Sequence, residues 1–174
     1  MKKNKLIILL KVVIPVILFY LIINQLFFIG CIESGSMEPT IQKGALTISN
    51  KLAYKKYTPE RGDIIIFKGE NGESIVKRII GLPGDKISFI DGYVYVNNKR
   101  LVEPYLSSEV KSYSSEKFNV PSGCYFVLGD NRQKSNDSRY MKNSYVDEKA
   151  IIGRAFYCFN GLNWGTELTK YKEK

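Results

Sequence analysis

Histidine is absent from all 174 residues, which excludes a Ser-His-Asp triad. Any serine nucleophile in this chain must use another base, and a neutral lysine is the main remaining choice. A zinc site also loses its commonest ligand. Cysteine is scarce. Cys31, Cys124 and Cys158 are an odd number with no Cys-x-x-Cys spacing, which argues against a thiol-metal cluster or a disulfide framework. One disulfide stays open, but buried free thiols suit Cys124 and Cys158, which lie in apolar runs. The acidic residues have no metal-ligand spacing, and calcium loops carry denser carboxylates. There is no internal repeat and no amphipathic helix of four turns. Nucleic-acid binding needs a basic stripe with base-stacking aromatics. Here the 12 tyrosines mostly fall in strand-like runs. No metal, cofactor or nucleic acid is expected, and nothing fixes an oligomeric state.

Acidic residues are also missing from the first 30 positions, which carry the four lysines Lys2, Lys3, Lys5 and Lys11. Val12 to Gly30 is then a nearly unbroken apolar run of 19 residues, interrupted only by Asn24 and Gln25. As a helix it spans about 28 Å, close to the ~30 Å core of a bilayer. A cleavable signal would have an apolar stretch of about 7–15 residues ending in small side chains. This run is longer and ends in the bulky Leu26-Phe27-Phe28-Ile29. A retained transmembrane anchor is therefore expected over residues 1–30, with one extracytoplasmic domain over 31–174. The lysine excess places the N-terminus in the cytoplasm, since positive charge is retained on that side. Beyond the anchor the bases are scattered over loops, as on a solvated surface beside anionic lipid headgroups.

The outer domain reads as short strands and turns. Asp63 to Phe67 and Glu73 to Ile80 are strand-like runs. Ile87 to Ile90 and Tyr93 to Val96 flank Asp91-Gly92, the signature of a tight hairpin. Tyr125 to Leu128 and Ile151 to Phe159 add two more. A mostly β, antiparallel domain behind one transmembrane helix is the expected fold. Residues 103–119 are polar and serine-rich, so a surface loop or β-excursion is expected there. The charged tail from Glu167 to Lys174 is expected to fray.

Three stretches carry reactive groups. In Glu33-Ser34-Gly35-Ser36-Met37-Glu38-Pro39-Thr40, the two serines lie two apart, so both hydroxyls point one way in extended backbone. One can attack a carbonyl while the other, with a backbone N–H, holds the oxyanion. A polar turn beside the membrane accounts for the same composition. In Ser74-Ile75-Val76-Lys77-Arg78-Ile79-Ile80, Lys77 has apolar neighbours that would lower its pKa by desolvation. Alternation does not say which face is inside, and an exposed Lys-Arg pair on an edge strand is the bland alternative. Gly129 to Arg139 follows a strand and is rich in loop-fixing side chains. Asp137 and Arg139 can pair there, and a serine can orient a lysine amine.

Taken together and in order, Ser34-Gly35-Ser36-Met37-x-Pro39-Thr40, Arg61-Gly62-Asp63-Ile64-Ile65-Ile66-Phe67, Val76-Lys77-Arg78-Ile79-Ile80-Gly81-Leu82-Pro83-Gly84-Asp85 and Gly129-Asp130-Asn131-Arg132-x-x-Ser135-x-Asp137-Ser138-Arg139 closely resemble the bacterial type I signal peptidases, or leader peptidases. The resemblance runs from the anchor to Ile152-Gly153-Arg154-Ala155. It implies Ser36 as nucleophile, Lys77 as general base and Ser34 as side-chain oxyanion donor. It implies that Ser135 hydrogen-bonds the lysine amine, and that Asp137 and Arg139 form a structural ion pair behind the site. Met37, Ile41 and Val76 fall where that family lines shallow pockets for small residues. The implied substrates are exported preproteins cut after Ala-x-Ala-like sequences, at the outer face of the lipid bilayer of the cell membrane. Glu33, where the family often has proline, and Tyr140-Met141-Lys142, in place of an aromatic-glycine ending, depart from the pattern. The short chain resembles single-anchor Gram-positive forms. Two rival readings are a self-cleaving repressor-type serine/lysine protease, which carries a soluble DNA-binding domain in front, and a membrane-tethered binding module or inactive relative.

Overall fold

A computed structural model describes residues 2–160 and 165–168. Helix α1 (Lys2–Leu26) leads directly into strand β1 (Phe27–Cys31). Beyond them lie β2 (Leu46–Asn50), the single-turn helix α2 (Ala53–Lys56), β3 (Ile64–Lys68) and β4 (Ser74–Gly81). Next come β5 (Lys86–Ile90), β6 (Tyr93–Val96), β7 (Lys99–Arg100) and β8 (Phe118–Asn119). The last strands are β9 (Cys124–Leu128), β10 (Val146–Asp147), β11 (Ile151–Phe159) and β12 (Thr166–Glu167). The larger sheet runs β1-β2-β11-β3-β4-β9-β10, with β12 paired to β11; the smaller runs β7-β6-β5-β8. Every recorded pairing is antiparallel. The expected mostly β, antiparallel fold behind one apolar helix is the fold observed.

The apolar run divides where its residues change preference. The helix stops at Leu26, and the aromatic and β-branched Phe27-Phe28-Ile29 that follow enter the sheet against β2. The helical part therefore ends four residues before Gly30. Its apolar stretch Leu9–Leu26 is long enough to cross a membrane, and none of it is buried among the described residues.

The hairpin of β5 and β6 forms as its sequence requires. Asp91 and Gly92 both take positive φ, of 52° and 80°, and Ile90 pairs with Tyr93. That geometry suits a two-residue turn whose twist matches the strands. The middle of the large sheet is covered on both faces. In β3 the run Ile64 to Phe67 is wholly buried. In β4, Val76 packs with Met37, Ile41, Ile64 and Ile66, while Ile75 and Ile79 pack with Ile65, Phe67 and Val127. Lys77 and Arg78 are consequently buried, with 3% and 2% exposure. The ambiguity over which face of β4 is inside resolves as both.

Residues 103–119 form a largely irregular excursion closed by β8, but Ser112 within it is buried and Glu103 and Tyr105 are half-buried. All three cysteines are free; Cys158 is buried, Cys124 half-buried and Cys31 exposed. Of the tail expected to fray, Glu167 is in β12 and Leu168 is buried; residues 169–174 lie outside the described residues.

Candidate active site

The serine turn and β4 meet although 41 residues separate them. Lys77 Nζ lies 2.8 Å from Ser36 Oγ and donates to the carbonyl of Val76 at 3.0 Å. Ser34 Oγ is 3.2 Å from Ser36 Oγ, so the two hydroxyls do lie on one side of the turn. Ser36 is buried while Ser34 is exposed. The turn is held by its own backbone, with Glu38 N–H donating to Gly35 O and Ile41 N–H to Met37 O at 2.9 Å.

Burial sets the electrostatics of Lys77. Desolvation lowers its pKa from 10.5 to about 8. Asp137 and Asp130 act in the opposite sense, favouring the ammonium, but they do not outweigh it. A hydroxyl beside an amine of that pKa can pass its proton to nitrogen at mildly alkaline pH.

The loop after β9 grips the serine turn. Asn131 N–H donates to Ser36 O at 3.0 Å, and Asn131 Nδ2 donates to Gly35 O at 3.0 Å. Gly129 leaves no room for a side chain, since a Cβ there would fall 2.2 Å from Ser135 Oγ and 2.4 Å from Ser36 O. Asp137 and Arg139 form the expected pair through both carboxylate oxygens, with Nε to Oδ1 at 2.8 Å and Nη2 to Oδ2 at 2.9 Å. Asp137 Oδ2 also accepts from Gly129 N–H at 3.0 Å. Ser135 differs from expectation in one respect. Its hydroxyl is buried beside Gly129 but has no hydrogen-bond partner among the described residues, and Lys77 turns to Ser36 and Val76 O instead.

A second ion pair was not singled out in the sequence. Arg78 Nε and Nη2 donate to Asp130 Oδ1 and Oδ2 at 2.9 and 2.7 Å, and Thr40 Oγ1 donates to Asp130 Oδ2 at 2.6 Å. This pair ties β4, the serine turn and the β9 loop together. The signal available was adjacency: Arg78 follows Lys77, so a strand buried on both faces must give it a partner.

Ser36 and Lys77 open on a groove of about 440 Å³ lined by Ile32, Met37, Ile75 and Val76, with Glu33 and Glu73 among its polar residues. Of the residues expected to line a substrate pocket, Met37 and Val76 are on this groove. Ile41 does not line the groove; it is fully buried in the cluster with Met37. Glu33 is exposed, and Tyr140 is exposed beside Arg139. Among the described residues no group of His, Cys, Asp or Glu could hold a metal ion.

Comparison with known proteins gives the family. The family model described as signal peptidase, peptidase S26, matches residues 6–160. A probable signal peptidase I-2 of Synechocystis is 42% identical over 135 residues, covering 74% of this chain and 61% of that protein. Signal peptidase I V of Bacillus subtilis is 38% identical over 154 residues, covering 81% of this chain and 90% of that protein. The crystal structure of a signal peptidase I from Enterococcus faecalis is 34% identical, with a TM-score of 0.49, and covers 56% of this chain and 97% of that one. With the family match running from within α1 to just past β11, this chain belongs to the signal peptidase family, peptidase S26.

Proposed function

We propose that the chain is a membrane-bound serine endopeptidase that removes N-terminal signal peptides from exported preproteins at Ala-x-Ala-like sites. The observation that carries this reading is the 2.8 Å approach of Lys77 Nζ to Ser36 Oγ in a buried setting. With the amine neutral, the Ser36 hydroxyl donates to nitrogen. As Oγ attacks the scissile carbonyl carbon, its proton passes to Nζ. The oxyanion of the tetrahedral intermediate is held by the Ser36 N–H and the Ser34 hydroxyl. The resulting ammonium then protonates the leaving amine, and the mature protein departs. Lys77, neutral again, takes a proton from water, whose oxygen attacks the Ser36 ester; the ammonium then returns the proton to Ser36 Oγ as the signal peptide leaves. The carbonyl of Val76 orients the lysine amine in this scheme, and Asp137 and Arg139 hold the loop behind it. The apolar groove walls of Met37 and Val76 favour small side chains beside the cleaved bond.

Purified full-length chain in detergent should cut a preprotein once, directly after its Ala-x-Ala-like sequence, as read by mass spectrometry of the products. Cleavage elsewhere, or none, would refute the assignment. Ser34→Ala should lower kcat by about 10²–10³-fold, since it removes one of two oxyanion donors. A steady-state assay on the same substrate checks this.

Helix α1 is proposed to span the membrane once, with its lysine-rich end in the cytoplasm and the catalytic domain outside. Protease added to intact spheroplasts should digest the chain beyond residue 30 and spare the segment before the span. Digestion only after lysis would reverse the topology.

A further inference from the structure

Behind the dyad lie three buried guanidinium groups and three carboxylates. Arg78 pairs with Asp130, and Arg139 with Asp137. These four residues belong to β4 and the β9 loop. Arg132 takes its partner from elsewhere: both of its terminal nitrogens donate to Glu103, from the excursion between β7 and β8. Glu103 is itself held, since Tyr105 Oη donates to Glu103 Oε1 at 2.7 Å. The Tyr105 ring in turn packs under the Arg78 guanidinium at 3.8 Å. Ser112, from the same excursion, accepts from Arg132 Nη1. Arg132 then reaches the site by two short routes. Its Nε donates to Gly129 O at 3.0 Å, and its own carbonyl accepts from Arg139 Nη2 at 2.7 Å. Asn131, between Asp130 and Arg132, is the residue that holds Ser36 O and Gly35 O.

We infer that Glu103 is a positioning residue for the peptidase reaction: through Arg132 it fixes the loop 129–139 that grips the Ser36 turn. This inference rests on the proposed Ser36-Lys77 reading. Without Glu103 the cluster holds three guanidinium charges against two carboxylates. Arg132, 2% exposed, would then be an unpaired buried cation, which a protein relieves by moving the side chain toward water. That movement pulls on Gly129, where the packing against Ser135 and Ser36 has no slack. Glu103 does not line the substrate groove, so its loss should disturb reaction geometry more than substrate binding.

The test uses the full-length chain in detergent and a peptide with an Ala-x-Ala-like site. Glu103→Gln keeps the shape and loses the charge. It should lower kcat by about 10–100-fold, the range expected when reacting groups shift by a fraction of an ångström to 1 Å. KM should change less than about threefold, and Glu103→Asp should recover part of the loss. In an Arg132→Met background the same Glu103→Gln change should cost little further, because the two act as one unit. If Glu103→Gln melts below the assay temperature, Tyr105→Phe replaces it; that variant removes only the hydroxyl that holds the carboxylate, and the same split between kcat and KM is required. An active wild type with kcat unchanged in the variant, a change confined to KM, or full additivity with Arg132→Met would each overturn the inference while leaving the peptidase reading intact. A wild type that cleaves nothing would overturn that reading, and this inference with it.

Discussion

Ser36→Ala should abolish preprotein cleavage while leaving the fold in place. The substitution removes one oxygen from a turn fixed by other contacts: Asn131 N–H on Ser36 O, Asn131 Nδ2 on Gly35 O, and Ile41 N–H on Met37 O. It also deletes the atom that would form the acyl-enzyme bond. Loss of the nucleophile in a serine hydrolase costs on the order of 10⁶ in kcat, and what survives is only the contribution of binding and the oxyanion donors. The thermal transition should stay within a few degrees of wild type, because few contacts are lost. The check is cleavage rate beside far-ultraviolet circular dichroism on the same preparation. An active Ser36→Ala variant with an inert Ser34→Ala variant would mean that the roles of the two serines are exchanged.

Lys77→Arg should be as inactive as Lys77→Met. Arginine keeps the charge and much of the reach, but it does not deprotonate in a protein. A purely electrostatic role would survive the change to arginine; a general base would not. Lys77→Met should also differ from the wild type in stability. In the wild type the folded lysine has a pKa of about 8 against 10.5 unfolded, so the unfolded chain binds more protons between those values. Folding stability should therefore rise with pH across that window. Below about pH 8 the site carries a cost of roughly 3 kcal/mol, which follows from the size of the shift. Lys77→Met removes that cost, so it should be at least as stable as wild type at neutral pH. It should also lack the alkaline rise contributed by this residue. Urea unfolding of both proteins across the window measures this.

Much of this was legible because the chain offers so few alternatives. With no histidine, a serine nucleophile needs a lysine, and Lys77 lies in a strongly apolar segment. The strands β3, β4, β5, β6, β9 and β11 announce themselves through β-branched and aromatic runs between turn residues. Strand β2 does not, because its alternation is inverted. Thr47 and Ser49 are the buried positions, while Leu46 is exposed. Thr47 satisfies its hydroxyl on Gly30 O at 3.1 Å, a partner brought by β1 that no local pattern reveals. The apolar run up to Gly30 likewise hid β1, since a membrane segment and a buried strand are both simply apolar. Around the site, Asp137 and Arg139 were readable from their spacing. Arg78, Asp130, Thr40 and Glu103 were not, because their pairings join β4, the serine turn, the β9 loop and the excursion. The polar composition of residues 103–119 suggested solvent; what it supplies instead is a partner for a buried cation.

The pH dependence of kcat/KM on an Ala-x-Ala-like peptide, taken from about pH 5 to about pH 11, bears most directly on the Ser36-Lys77 dyad. If neutral Lys77 is the base, the rate rises along a single limb centred near the depressed lysine pKa of about 8. No limb should appear near 6.5, the ordinary value for a histidine, because the chain has none. A profile that is already flat above about pH 6 would show that no group titrating where Lys77 does controls the reaction, and would contradict the lysine-base mechanism.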